Sequence, residues 1–182
     1  MNSNLINYGL KYVNIIENVF NKQECEKLIE ISEKKGYSYE TSFLDKRKSK
    51  RCIIDNQLFS ERLFHIIYKY LPLTYHSKNI KYINPRFRFL KYNIGDYFTR
   101  HRDGNYIDID GNKSLITILI YLNDDYEGGY TTFFTDPDDY NGYIIIPKCG
   151  MICLLDQEIG HEVNSLISGN KYVIRTEIMY DE

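Results

Sequence analysis

From Arg86 to Met179 the chain is a succession of short β-rich runs set close together, and this spacing constrains the fold more than any other feature. The runs are Arg86 to Tyr92, Tyr97 to Arg100, Leu115 to Leu122, Thr131 to Phe134, Tyr143 to Ile146, Met151 to Leu155 and Lys171 to Met179. Turn residues separate them at Asn93-Ile94-Gly95, Glu127-Gly128-Gly129, Pro147 to Gly150 and Ser168-Gly169-Asn170. The sequence before Pro85 has a different texture. Asn21 to Lys35 predicts an amphipathic helix, with Asn21 as cap, Glu24 three positions on as in a capping box, Cys25, Leu28, Ile29 and Ser32 at helical spacing, and Gly36 as the stop. A strand over Val13 to Phe20 precedes it. A second helix is expected from about Asp55 to Tyr70, ending before Pro72. Helices first and strands after give an α+β, mainly β class: an antiparallel sandwich or jelly roll with supporting N-terminal helices. With no repeat and no long linker, 1–182 is expected to be a single domain, 1–85 a helix-rich supporting region and 86–182 the β core. A chain of 182 residues can bury roughly two thirds of its unfolded surface around one core.

Composition excludes more than it suggests. With 23 Lys and Arg against 25 Asp and Glu, the net charge of −2 gives no global attraction to nucleic acid or anionic membrane. No apolar run approaches the roughly 18 residues of a membrane span, and Met1 to Leu5 lacks the features of a signal peptide, so the expectation is a soluble, cytoplasmic protein. Cys25, Cys52, Cys149 and Cys153 form no CxxC pair and are expected as buried thiols. Most of the eighteen tyrosines fall within helix and strand patterns, which suits packing better than base stacking. Asp108-Ile109-Asp110-Gly111 and Asp136-Pro137-Asp138-Asp139 lack the alternating ligands and final Glu of calcium loops and read as acidic turns. Lys46 to Arg51 is a basic run expected as a solvated loop; the alternatives are a localisation signal, a contact for an acidic substrate, or a flap over an active site.

The histidines are few enough to weigh one by one. His65 lies within the second helix and His76 in a following loop, both structural or surface positions. His101-Arg102-Asp103 is different, because residues two apart on extended backbone point to one side and can share a metal. A sandwich could return His161 beside them. Two neutral nitrogens and one anionic oxygen on one face of an octahedral ion leave half its positions open, the arrangement of non-haem Fe(II) oxygenases. His-Arg-Asp also occurs in protein kinases, but the chain has no glycine-rich loop and no Asp-Phe-Gly, and it is too short for that fold.

From Arg86 onward the chain resembles the 2-oxoglutarate and Fe(II)-dependent dioxygenases of the prolyl 4-hydroxylase type. The resemblance rests on Arg88-Phe89-Leu90-Lys91-Tyr92, Gly95-Asp96-Tyr97-Phe98, His101-Arg102-Asp103-Gly104, Ile120-Tyr121-Leu122-Asn123, Glu127 to Phe133, Pro147 with Gly150, His161, and Gly169-Asn170-Lys171-Tyr172-Val173, in that order. It extends more loosely to Asn18-Val19-Phe20, Glu24-Cys25, Leu28-Ile29 and Arg51 to Asp55. It implies a double-stranded β-helix. It also implies that His101, Asp103 and His161 are the catalytic metal ligands for Fe(II), and that 2-oxoglutarate and O2 take the remaining positions. Lys171, ten positions after His161, would pair with the distal carboxylate of the cosubstrate, with Tyr92 and Tyr121 lining its pocket and Thr117 joining them from the face it shares with Tyr121.

Arg175 shares the face of Lys171 by strand alternation. It either pairs internally, with Glu177 or another acid, or meets an anion on the substrate; a rival assignment gives it the cosubstrate carboxylate instead of Lys171. The implied activity couples decarboxylation of 2-oxoglutarate to hydroxylation of a C–H bond, with ascorbate as reductant and a prolyl residue of a peptide or protein as target. Loops such as Tyr37 to Arg51 and Asp136 to Gly142 would choose the substrate. A free amino acid or small metabolite as substrate, a non-catalytic sensor module that binds metal and 2-oxoglutarate, and a nucleic-acid-modifying oxygenase are the alternatives.

Overall fold

The computed structural model describes residues 3–8, 11–39, 46–134 and 142–181, the stretch 4–8 by its backbone. Asp136-Pro137-Asp138-Asp139 and most of the Asp136 to Gly142 loop lie outside these residues, as do positions 40–45 of the Tyr37 to Arg51 segment.

The chain opens with a hairpin of β1 (Ser3–Tyr8) and β2 (Lys11–Ile16). Helix α1 (Lys22–Lys35) starts where its cap dictates: Asn21 Oδ1 accepts from Glu24 N at 3.0 Å and Glu24 Oε2 accepts from Asn21 N at 3.0 Å. It ends at Gly36, whose φ of 91° only glycine adopts cheaply. Short strands β3 (Ser38–Tyr39) and β4 (Arg47–Lys48) lead to β5 (Lys50–Asp55). Helix α2 (Gln57–Ile67), capped by Asn56, passes into a 3-10 turn over Tyr68–Tyr70 before Pro72. Then come β6 (Thr74–Tyr75), β7 (Lys78–Ile83), β8 (Arg86–Tyr92), β9 (Tyr97–His101), β10 (Lys113–Tyr121) and β11 (Glu127–Gly128). The chain closes with β12 (Thr131–Phe134), β13 (Tyr143–Ile145), β14 (Ile152–Asp156), β15 (Gly160–Val163), β16 (Leu166–Ser168) and β17 (Lys171–Tyr180).

The strand pairings are antiparallel. A large sheet runs β1-β2-β14-β10-β17-β8-β5-β3, with β7 on the far half of β17 and β6 on β7; a smaller sheet runs β13-β12-β15-β9-β4. From β8 to β17 the main strands pass from one sheet to the other and back, large for β8, β10, β14 and β17, small for β9, β12, β13 and β15. That alternation is the jelly roll expected from the sequence. The 1–85 segment departs from its helix-rich description, because beside its two helices it supplies strands β1 to β7. Its strands extend the large sheet on both flanks, β2 on β14 and β5 on β8, so their partners lie far along the chain and outside any local pattern.

Side-chain alternation in the large sheet builds two environments. Phe87 and Phe89 of β8, Ile116, Ile118 and Ile120 of β10, Ile152 and Leu154 of β14, and Ile174 and Ile178 of β17 pack with Cys25 of α1 and Leu63 and Ile67 of α2. The intervening residues, among them Leu119, Tyr121, Cys153, Leu155 and Val173, face the smaller sheet and meet Phe133 and Ile145 there. Strands buried on both faces read as continuous apolar runs, which is why Leu115 to Leu122 shows no alternation in sequence. Polar residues on the inner face are therefore exceptions: Arg88 and Tyr92 on β8, Thr117 on β10, and Lys171, Arg175 and Glu177 on β17.

Candidate metal and cosubstrate site

His101 at the end of β9 and His161 in β15 are register partners across the smaller sheet, and one ligand atom from each and from Asp103 all lie within 4.8 Å of one another. Each ring is fixed through its other nitrogen. His101 Nδ1 donates to the Thr99 carbonyl at 2.8 Å and His161 Nδ1 to the Ile159 carbonyl at 3.1 Å. A carbonyl only accepts, so Nδ1 carries the hydrogen and each Nε2 presents a lone pair toward Asp103, 3.9 Å away in both cases. Phe98 stacks on the His101 ring at 3.4 Å and holds its plane. Burial, then the neighbouring His161, pushes the His101 imidazole down to about 4, keeping it neutral.

Asp103 is held as an anion. Burial alone would raise its carboxyl; Arg175 beside it, then His161 and the Thr117 hydrogen bond, hold it well below the usual carboxylate range. Thr117 Oγ1 donates to Oδ2 at 2.6 Å and Arg175 Nη2 lies 3.1 Å from Oδ1. Two imidazole lone pairs and one anionic oxygen, each oriented by a further hydrogen bond, form a donor set that fits a divalent iron.

A cavity of about 290 Å³ opens beside the triad and reaches Lys171. Lys171 is 1% exposed and its Nζ donates to the Gly129 carbonyl at 2.5 Å, with the rings of Tyr92, Tyr121 and Tyr126 at 5.6, 5.4 and 6.0 Å. No carboxylate pairs with it among the described residues. Burial pushes this ammonium down to about 7, as for a cation whose counter-charge is still to come. Tyr126 Oη is buried without a hydrogen-bond partner in the same cage. Burial also pushes the Tyr92 phenol up to about 12 and raises the Tyr121 phenol well above its ordinary value, so both stay protonated donors. An orphaned ammonium ringed by phenols fits the distal carboxylate of a dicarboxylic cosubstrate. The close approach depends on Gly129, where φ is 60° and a Cβ would lie 3.3 Å from Lys171 Cδ and 2.9 Å from Leu166 Cδ1.

Strand geometry brings together the residues singled out in the sequence, with one difference. Thr117 shares its face with Tyr121 but touches Asp103, and Gln157 Nε2 in turn donates to Thr117 Oγ1 at 3.4 Å; it orients the carboxylate and does not line the cavity. The cause is its place on β10, two rungs from Tyr121 toward the end where Asp103 lies. Arg175 pairs with both Asp103 and Glu177, the latter at 3.1 Å, while Lys171 has neither. The basic run is not a solvated loop. Arg47 and Lys48 form β4 on β9, Lys50 and Arg51 start β5 on β8, and Arg47 and Arg51 line the cavity.

Sequence reasoning overlooked Tyr126 and Gln157, and it named Phe98 and Arg88 within motifs without giving them a role. Arg88 carried a further signal, since it lies on the face of β8 shared with Leu90 and Tyr92.

Residues 87–176 match the family model of the 2OG-Fe(II) oxygenase superfamily. A curated relative, the uncharacterized protein FPV006/FPV255 of Fowlpox virus, is 28% identical over 182 residues, 98% of this chain; the chain spans 39% of that protein's length. Among solved structures, a viral collagen prolyl hydroxylase from Paramecium Bursaria Chlorella virus-1, in complex with 2OG, superposes with a TM-score of 0.66 at 21% identity, covering 93% of this chain and 96% of that one. A Pseudomonas putida prolyl-4-hydroxylase gives 0.70 at 15% identity, covering 93% and 92%. A Trichoplax adhaerens prolyl hydroxylase bound to a hypoxia inducible factor peptide fragment gives 0.72 at 18%, covering 93% and 83%. These structures share the fold. No helix among the described residues is long and apolar enough to cross a membrane.

Proposed function

We propose that this chain, whose residues 87–176 match the 2OG-Fe(II) oxygenase superfamily, is an Fe(II)- and 2-oxoglutarate-dependent dioxygenase of prolyl 4-hydroxylase type, hydroxylating a prolyl residue of a peptide or protein. One observation carries the reading: the His101, Asp103 and His161 cluster opens onto the same cavity as an enclosed lysine with no acidic partner among the described residues. Iron and cosubstrate, when bound, supply the oxidation: O2 and 2-oxoglutarate give succinate and CO2, and the C–H bond gains a hydroxyl.

The protein's residues hold and orient. His101 and His161 offer Nε2 because the Thr99 and Ile159 carbonyls occupy their Nδ1 hydrogens. Asp103 offers a carboxylate kept anionic by Arg175 and aligned by Thr117. Lys171 receives the distal carboxylate of 2-oxoglutarate, and the Tyr92 and Tyr121 phenols stand beside it. Leu90, Leu119 and Val173 give the cavity a dry wall. Ascorbate is the expected reductant. The cytoplasm, where the free thiols of all four cysteines stay reduced, is the expected setting, with peptide in preference to nucleic acid as the partner.

The test is succinate release from 2-oxoglutarate by protein supplied with Fe(II) and ascorbate, beside Asp103→Ala and Lys171→Ala. Slow turnover should appear in the parent and vanish in both variants, and a prolyl peptide should accelerate it. Failure to bind either Fe(II) or 2-oxoglutarate overturns the reading.

A further inference from the structure

Two arginines face each other where the sheet would be expected to avoid it. Arg88 of β8 and Arg175 of β17 are direct register partners, both side chains are 18% exposed, and both line the cavity beside the triad. Like charges directly opposite on neighbouring strands are destabilising, and buried guanidiniums require anions. The described anions fall short. Glu177 Oε1 serves both, at 2.7 Å from Arg88 Nη1 and 3.1 Å from Arg175 Nη1, while its Oε2 accepts from Asn84 Nδ2 at 3.2 Å. The second acid on Arg175 is Asp103, which the proposed metal shares. Arg175 Nε is buried without a hydrogen-bond partner among the described residues.

A divalent metal, Asp103, the cosubstrate dianion and Lys171 balance among themselves, which leaves the Arg88 and Arg175 guanidiniums with Glu177 as their one acid among the described residues. Next to the pair, Leu119 is the register partner of Arg175 on β10 and Leu90 lies two positions from Arg88, so a cationic corner adjoins an apolar wall. We propose that the substrate brings the missing anion: a carboxylate within one residue of the hydroxylated carbon, received by Arg88 and Arg175 while its aliphatic part lies on Leu90 and Leu119. This inference rests on the dioxygenase reading. The planar fork of a guanidinium suits a carboxylate, which could be an acidic side chain flanking the target residue or the α-carboxylate of a terminal one.

Four probes separate these sources: N-acetyl-Gly-Pro-Glu-amide and its Gln counterpart, and N-acetyl-Gly-Pro as free acid and as amide. Each is titrated calorimetrically into protein loaded with Mn(II) and 2-oxoglutarate, after cosubstrate binding has itself been measured. In at least one pair the acid should bind roughly tenfold or more tighter than the neutral member. The pair that shows the preference identifies the source. The preference should collapse in Arg88→Gln and return in part in Arg88→Lys. Equal binding within both pairs, or no binding by any probe, overturns the inference while measured 2-oxoglutarate binding leaves the dioxygenase reading standing. A preference that survives Arg88→Gln also overturns it. Should Arg88→Gln not fold, the probe pairs on the parent protein still decide. Absent 2-oxoglutarate binding, both readings fall together.

Discussion

Lys171 shows how one enclosed charge couples stability to ligand. Its ammonium titrates near 7 in the folded protein against an ordinary value of 10.5, so between those values the unfolded chain holds a proton that the folded chain lacks. Stability therefore rises with pH across that window, and the penalty is fully present below it. Lys171→Met keeps the volume and removes the charge. The ligand-free variant should exceed the parent at pH 6 by on the order of 5 kcal/mol and lose most of that advantage by about pH 10. Urea midpoints at pH 6, 8 and 10 would show it, and parallel curves would refute it. The residue types at the site were legible in the sequence, because His-x-Asp needs only local backbone to aim both side chains. The partners were not: that Thr117 meets Asp103, that Tyr126 closes on Lys171, and that Arg88 opposes Arg175 all follow from register and sheet stacking, which have no local trace.

At the scale of elements, the helices were read well because their signals are local. Asn21 and Glu24 form a reciprocal cap, so Asn21→Ala should cost about 1 kcal/mol without touching the cavity. Strands were read where apolar runs are long and overlooked where pairing makes them; β15 holds Gly160-His161-Glu162-Val163, a poor strand sequence stabilised by β9 and β12 on either side. Gly150 joins the two kinds of element. Its N–H donates to the Tyr121 carbonyl at 2.8 Å and its carbonyl accepts from Val19 at 3.0 Å and Phe20 at 3.2 Å, tying the approach to α1 to the end of β10. A Cβ there would fall 1.8 Å from the Phe20 carbonyl oxygen, and φ is 77°. Gly150→Ala should thus cost more than the cap, on the order of 2–4 kcal/mol, through backbone strain and displacement. Thermal unfolding of both variants ranks them, and a smaller loss for Gly150→Ala would contradict this account of the junction.

Across the whole molecule, the site belongs to neither sheet. His101 and His161 come from the smaller sheet, and Asp103 follows β9; Tyr92, Tyr121, Lys171 and Arg175 come from the larger one. Among the described residues, an ion pair that crosses between these two groups is Arg175 with Asp103. Metal on the histidine side and cosubstrate reaching to Lys171 would join the sheets through the cavity, so binding should register as global stability. Mn(II) with 2-oxoglutarate at about a hundred times its dissociation constant should add roughly 2.7 kcal/mol. For a domain of this size that is a rise in melting temperature of roughly 5–10 °C. Because the two ligands are held by different sheets, the variants should separate their contributions. Lys171→Met keeps the shift produced by Mn(II) alone and loses the increment from 2-oxoglutarate, whereas Asp103→Ala loses both. If 2-oxoglutarate raised the melting temperature equally in the parent and in Lys171→Met, the cosubstrate would be held elsewhere, Arg175 would become its carboxylate partner, and the substrate anion assigned to the arginine pair would have no place to sit.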